Sequence, residues 1–399
     1  MSLANKLRRL IPPASSGPAP ATTPAAELDS FLHGREVTTP VGACYVIDKA
    51  IPLEERHGHW RLGEALHTSY GTLGQPQPLD VKTALFLDTE TTGLAGGTGT
   101  YAFLVGLGSF TSSHFLVKQL LMRDYNEELA VLYLLEQELQ EKDTIISFNG
   151  KTFDIPLLQT RFTMARLGLQ GCAGKKQLDL LHLARRIWRH KLKSCSLSSL
   201  EINILGVRRL NDIPGSEIPG RYFQFLHTGQ GQLLQDIIEH NTLDILSMAT
   251  LLFHIQQTLR LPPGECNCPW EAEALAKLAL GQSNFSLGLL YLDAARQLCH
   301  RRSQYLRLLR TTALVYKRLR NYEQACALWQ EILQLAYDDL DTYEELAKYY
   351  EHRAKDLTEA ERVTRRALAI AWQAKSAKAA DLEHRLRRIR NKAQTSAST

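Results

Sequence analysis

Two carboxylates, Asp88 and Glu90, stand two residues apart in Leu87-Asp88-Thr89-Glu90-Thr91-Thr92-Gly93-Leu94, closing an apolar run that begins at Lys82. The period of a strand turns both side chains to one side, with about 7 Å between their Cα atoms. Like charges held that close repel and raise each other's pKa unless a cation sits between them. Hard divalent cations such as Mg²⁺ and Mn²⁺ take carboxylate ligands by preference. Many strands also end in acids that simply face water, so the pair points to metal chemistry only in company. A further acid, Asp154, lies in Asn149-Gly150-Lys151-Thr152-Phe153-Asp154-Ile155-Pro156, at a strand-to-helix junction. There it equally suits a helix N-cap, with Pro156 in the first turn, and capping and ligation are compatible. His240 and Asp244 are one helical turn apart and share a face, on a helix whose Ile237, Ile238, Leu243 and Ile245 call for burial. A polar pair on a buried helix needs partners.

These residues must be positioned by a particular set of elements. KTALFLD, AFLVGLGSF and SHFLVKQLLM are strand-length apolar runs joined by short loops, which predicts an antiparallel meander. Leu129, Leu132, Tyr133, Leu135 and Leu139 recur at helical spacing. TIISFN reads as another buried strand, PLLQTRFTMARL and QLDLLHLARRIW as helices, and 233–255 as one long amphipathic helix. Strands first, then strands alternating with helices, predict a mixed α/β sheet flanked by helices over 82–260. Residues 1–40 read as a disordered linker, because PPASSGPAPATTPAAE has too little apolar surface to offset its ordering entropy. Residues 41–81 read as a hairpin-like extension, with His57 and His59 solvated on one strand face. After PPGECNCP, helices fill 270–395. Ala313-x-x-Tyr316 recurs as Ala347-x-x-Tyr350 after 34 residues, and Ala325 as Ala360 after 35. That period is the one of tetratricopeptide helix pairs.

Several other signals have simpler readings. Gly96-Gly97-Thr98-Gly99-Thr100 lacks the G-K-[ST] ending of a phosphate loop and is followed by a strand, so it reads as a flexible connection. Asp179 is a fifth acid that helix capping or a surface salt bridge explains. Cys266-x-Cys268 has no further pair of ligands that would make a zinc site. Arg185, Arg186 and Arg189 surround Trp188, with Lys191 and Lys193 close behind. Cations beside an aromatic platform suit single-stranded nucleic acid, although a solvated helix face gives the same pattern.

The ordered set Asp88, Glu90, Asp154 and Asp244 resembles the four acids of the DEDD 3′–5′ exonucleases, carried by DTETTGL, the N-G-x-x-F-D-x-P-L-L block and the late H-x-x-x-D. The likeness spans about 82–256, and with its helical tail the chain is similar to the bacterial YprB-type ribonuclease-H-like proteins. The resemblance implies a ribonuclease-H-like fold in which these four acids bind two divalent metal ions, Mg²⁺ or Mn²⁺, and His240 acts near the attacking water. Two metals about 3.5–4 Å apart serve both the entering and the leaving oxygens of phosphodiester hydrolysis. Thr91, Leu94, Asn149 and Phe153, beside the expected ligands, are candidates for holding the terminal nucleotide. One departure stands out. His-type members of the family carry the histidine five residues before the last acid, whereas here it is four before, a rotation of about 100° on a helix.

The composition bounds the alternatives. The chain has 399 residues, 44% of them hydrophobic, which excludes a disordered or collagen-like protein. No apolar run approaches the roughly 20 residues of a membrane span. Seven scattered cysteines are no disulfide framework, and with no apolar stretch after Lys6, Arg8 and Arg9 the expected location is cytoplasmic. A net charge of +5 permits a nucleic-acid partner without requiring one. The expected activity is therefore a metal-dependent nuclease, most specifically a 3′–5′ exonuclease acting on the end of single-stranded DNA or RNA, with a protein partner on the helical repeats. The alternatives are a catalytically weak nucleic-acid-binding protein and a helical-repeat scaffold.

Overall fold

The computed structural model describes residues 28, 31–71, 73, 74, 76–93, 98–167 and 170–397. The disorder expected of residues 1–27, the flexible connection expected at Gly96 and Gly97, and the role suggested for Leu94 lie outside these described residues. The chain divides into two compact units, the first running to Thr258 and the second from Leu259.

In chain order the first unit holds β1 (Arg35–Thr39), β2 (Gly42–Pro52), β3 (Arg56–His57), β4 (Trp60–Arg61) and α1 (Leu62–His67). The meander follows as β5 (Ala84–Thr91), β6 (Ala102–Phe110) and β7 (His114–Leu121), then α2 (Glu128–Gln140), β8 (Thr144–Ser147) and α3 (Asp154–Ala165). It ends with β9 (Lys176–Asp179), α4 (Leu180–Trp188), α5 (Leu197–Leu200), α6 (Ile218–Thr228) and α7 (Gln232–Arg260). Seven strands form one mixed sheet in the order β1-β2-β7-β6-β5-β8-β9. β5, β6 and β7 are antiparallel neighbours, while β8 and β9 continue the sheet parallel to β5. The expected mixed α/β architecture is the one found.

Three elements differ from the sequence reading. The stretch expected to be disordered is already a strand by Arg35, and β1 and β2 are integral to the sheet. β2 pairs along β7 from Tyr45 opposite Leu121 to Pro52 opposite His114. The extension does contain hairpins, β1–β2 and the short β3–β4 pair, but β2 is built into the main sheet, and its Cys44, Tyr45 and Val46 reach the main core. His57 is not solvated. It is buried, with Nε2 2.6 Å from the Ser247 hydroxyl. Gln177–Asp179, read as the start of a helix, belong with Lys176 to strand β9, too short at four residues to show a period.

Alternation along β5 explains its position at the centre. Leu85 and Leu87 face the main core with α2, α3 and α6, whereas Phe86 turns to the opposite face against Phe110 and Phe115. On that opposite face α7 lies very close to the sheet. An added Cβ on Gly106 would meet Asn241 Oδ1 at 2.0 Å, and one on Gly108 would meet Ile245 at 2.5 Å. Only glycine at these two positions of β6 lets the helix approach that far, and the approach brings α7 over the end of β5.

The second unit is helical: α8 (Pro269–Gly281), α9 (Phe285–Leu298), α10 (Arg302–Arg318), α11 (Tyr322–Leu335), α12 (Leu340–Tyr349), α13 (Leu357–Gln373) and α14 (Lys378–Ala397). Ala313, Ala347, Ala325 and Ala360, the pairs that recur at the repeat spacing, are all fully buried. Small residues there let successive helices pack closely. Two wide i→i+5 turns interrupt the helices, at Glu201–Leu205 in the first unit and Tyr350–Ala354 in the second. Each carries a buried glutamate, Glu201 or Glu351.

Candidate metal centre

The centre forms where β5 ends. Because Asp88 and Glu90 share the face that carries Phe86, both project towards α7, while Thr89 projects to the other side. Asn241 on α7 donates from Nδ2 to Asp88 Oδ2 at 2.9 Å, which fixes one carboxylate oxygen. Asn241 Oδ1 in turn accepts from Gln119 Nε2 at 2.9 Å, so the amide orientation is set by a partner on β7. Thr89 donates its hydroxyl to Asp154 Oδ1.

Asp154 is the first residue of α3, and Phe153 is the N-cap, with no side-chain cap bond. The sequence reading of Asp154 as the cap is corrected: its carboxylate is held by Thr89 instead. The loop before it is tied down by Asp179. Oδ1 of Asp179 accepts from the Asn149 backbone at 2.9 Å and caps α4 through Leu181, and Oδ2 accepts from Lys151 at 3.2 Å. This loop turns through Asn149 at φ 68°, a left-handed geometry that asparagine tolerates.

His240 and Asp244 come from one turn of α7. His240 Nδ1 lies 2.7 Å from Asp212 Oδ1. Its Nε2 lies 3.9 Å from Glu90 Oε1 and 3.7 Å from Asp244 Oδ2. One ligand atom from each of Glu90, His240 and Asp244 can be chosen so that all lie within 4.8 Å of one another. All three side chains keep 13–17% of their surface exposed, so the cluster is reachable from solvent.

The electrostatics of the cluster are unfavourable for the protein alone. Burial, then the charges of Asp244, Glu90 and Asp154, drive the Asp88 carboxyl well above its ordinary range, against the favourable bond from Asn241. Glu90 is raised by burial and by Asp244, Asp154 and Asp212, with Arg209 opposing. Asp154 is pushed up to about 6, chiefly by burial, although the Thr89 bond pulls the other way. Acids gathered at the cost of their own ionisation are a set that a divalent cation would relieve. The donors, carboxylate oxygens with one imidazole nitrogen, fit a hard or borderline ion.

Several participants carried no signal in the sequence. Arg209 sits in a loop, yet it is nearly buried and donates from Nη2 to both Asp244 Oδ1 and Glu201 Oε1. Its Nη1 reaches Asp212 at 3.2 Å. Ser247 donates to the same Glu201 oxygen and meets His57, so a buried chain runs from the N-terminal strands to Arg209. Asn241 was detectable in principle, since it adjoins His240 in the helix already singled out. Arg209 and Asp212 were not, because no periodic pattern surrounds them.

The remaining candidates are less central. The Thr91 hydroxyl donates to the Gly93 carbonyl at 2.9 Å, and Thr91 is buried. Trp188 is fully buried and cannot stack on a base, which corrects its role as an aromatic platform; its ring leans on His254. Arg185, Arg186 and Arg189 are exposed on α4, as a solvated face would be.

With this geometry in place, comparison with known proteins is informative. A family model described as RNase_H superfamily matches residues 85–256, which contain all four acids and His240. Over 364 residues the chain is 32% identical to the uncharacterized protein YprB of Bacillus subtilis (strain 168), covering 88% of this chain and 86% of that protein. No described helix is long and apolar enough to cross a membrane.

Proposed function

The chain belongs to the same family as Bacillus subtilis YprB and carries an RNase H superfamily domain, and from that premise we propose that it is a 3′–5′ exonuclease using two divalent metal ions, Mg²⁺ or Mn²⁺. The RNase H superfamily supports a nuclease in general. What supports the narrower reading most directly is the approach of Asp88, Glu90, Asp154 and Asp244 from one strand and two helices: the charges of Asp244 and Asp154 add to burial in raising both Asp88 and Glu90, while Asp154 is raised by burial and by Asp179. The four acids would hold the ions, which when bound supply a nucleophile at neutral pH and charge stabilisation for the leaving oxygen.

The chain's own residues have distinct tasks. Asn241 and Thr89 orient Asp88 and Asp154, each engaging one oxygen of its carboxylate. Asp212 is an acceptor only, so the bond to His240 places the hydrogen on Nδ1. Nε2 is thereby left on the side of Glu90 and Asp244, where its lone pair can take a proton from water. Asn149 and Phe153, in the loop that Asp179 pins, are proposed to bound the terminal nucleotide.

A second reading has one observation in its favour. Arg209 places a guanidinium on Asp244 and so partly neutralises the acidic set from within. A chain that keeps this pairing would bind a strand yet hydrolyse it poorly. A 5′-labelled single-stranded DNA and RNA oligonucleotide with Mn²⁺ separates the two. The exonuclease reading expects a ladder of products shortening from the 3′ end, absent in Asp88→Asn. Binding by the wild-type chain with no metal-dependent shortening of either strand would reject it in favour of the second.

A further inference from the structure

Outside the acidic centre, the strongest concentration of unexplained charge is in the second unit. A groove of about 940 Å³ opens beside the wide turn Tyr350–Ala354 and α14. Four cations line it, Lys355, Arg387, Arg388 and Lys392, against one carboxylate, Glu351. Glu351 is completely covered and acts as an internal anchor. It accepts from Arg388 at 2.6 and 3.0 Å, from Lys392 at 2.7 Å and from Arg385 at 3.1 Å. These bonds drive the Glu351 carboxyl down to about 2, although burial alone would raise it. Arg385, Arg388 and Lys392 are spaced three and four apart, so one face of α14 delivers all three. The anchor is hidden while the cations are not: the Arg388 and Lys392 side chains keep 40% and 45% of their surface exposed. Lys355 and Arg387 are exposed and make no ion pair among the described residues. One buried negative charge therefore orders a positive surface that it does not neutralise.

A second cavity, about 330 Å³, shares His352 and Arg388 with the first; the half-buried rings of Tyr322 and Tyr349 line it, with Trp329 buried behind them and the carboxylate of Glu345 paired to Lys317 and Lys348. Arg353 lies 4.5 Å over the Tyr322 ring. Cations that track a phosphate chain, next to partly exposed rings on which bases stack, are the two components of a single-strand binding surface. We propose that this groove binds single-stranded nucleic acid, with Lys355, Arg387, Arg388 and Lys392 on consecutive phosphates and Tyr322 as a stacking surface. An acidic protein segment would use the cations but would have no need of the rings. The inference names a strand-holding site for the nuclease reading above and rests on it for substrate class.

The test is binding by the full chain, in EDTA so that no turnover occurs, to a 5′-fluorescein 20-mer of single-stranded DNA or RNA, read by fluorescence anisotropy. For a single strand, log K falls with log salt by roughly 0.7 for each phosphate neutralised. Lys355→Ala/Arg387→Ala should therefore reduce the salt slope by about 1.4 and weaken binding at least about tenfold at 0.1 M salt. Its melting temperature should be unchanged, since neither residue is ion-paired. Tyr322→Leu should weaken binding without altering the slope. The proposal is overturned if wild type does not bind the oligonucleotide, or if the double variant binds as wild type does. It is overturned too if polyglutamate displaces the strand as well, per charge, as unlabelled oligonucleotide does, which would mark a dock for acidic protein. Failure of the nuclease reading looks different: binding persists, with the expected salt slope, while Mn²⁺ produces no shortening.

Discussion

His240 shows how much a single position on a helix turn decides. It lies four residues before Asp244 and yet reaches the cluster, because Asp212 in the 206–217 loop grips its Nδ1 and aims Nε2 at the acids. His240→Gln keeps a polar group but cannot take a proton, so kcat is expected to fall by about 10²–10⁴. A variant with wild-type kcat contradicts the assignment. Arg209 makes an opposite demand on Asp244. Arg209→Met is expected to strengthen Mn²⁺ binding measured by calorimetry, because Asp244 loses its internal cation. The same change strands Glu201 in a buried setting, and leaving one member of a buried ion pair alone commonly costs about 3–5 kcal/mol. Tighter metal binding in a less stable protein is the joint expectation; weaker binding with intact stability would show that Arg209 supports the metal site rather than competing with it.

Among the elements, β6 has the least conspicuous role and the clearest consequence. Gly106 and Gly108 lie two apart on one face, and α7 fills the space that their missing side chains leave. Gly106→Ala puts a methyl group 2.0 Å from Asn241 Oδ1, so either α7 moves outward or Asn241 leaves Asp88. Overpacking of this kind typically costs about 1–3 kcal/mol, and metal-dependent activity is expected to fall by more than that loss of fold explains. Residual activity equal to wild type, in protein that is merely less stable, would show that the Asn241–Asp88 bond is dispensable. The meander, the long helix and the acids were legible in the sequence, since each rests on a local period or a short spacing. β1 and β9 were not: five and four residues give too little alternation, and their pairing depends on partners far along the chain. Trp188 misled because a run of arginines shows the exposed face of a helix and hides that the tryptophan is on the other. Arg209 was invisible for a deeper reason, as its meaning comes wholly from Glu201 and Asp244 meeting it in space.

For the molecule as a whole, the two units carry opposite responses to acid. In the first unit Asp88 and Glu90 are raised well above their ordinary range and Asp154 to about 6. The stability such groups contribute is complete below the unfolded carboxylate range, near pH 4, and is lost as pH rises through their folded values. In the second unit Glu273, held by Arg307 and Lys277, and Glu351 are drawn down to about 2. Their contribution is complete above about pH 4.5 and lost only below it. Between pH 5 and 7 the three acids of the first unit should therefore cost the metal-free chain stability, Asp154 by on the order of 1 kcal/mol within that window, with Asp88 and Glu90 outweighing the opposite contribution of buried His57, which is lowered to about 4, and excess Mn²⁺ should flatten the acids' slope. Calorimetry in EDTA and in Mn²⁺ checks it, and a metal-free profile that rises from pH 5 to 7 would contradict the charge picture. The seven-stranded sheet has one further consequence. Its two rims, β1 and β9, are the short strands Arg35–Thr39 and Lys176–Asp179, each opening with a charged residue, whereas the long apolar strands all lie inside the sheet. Unpaired backbone groups at a sheet margin invite a neighbouring molecule to add a strand. Here the margins give an incoming strand little length to zip along, which guards a crowded solution of this protein against edge-to-edge aggregation.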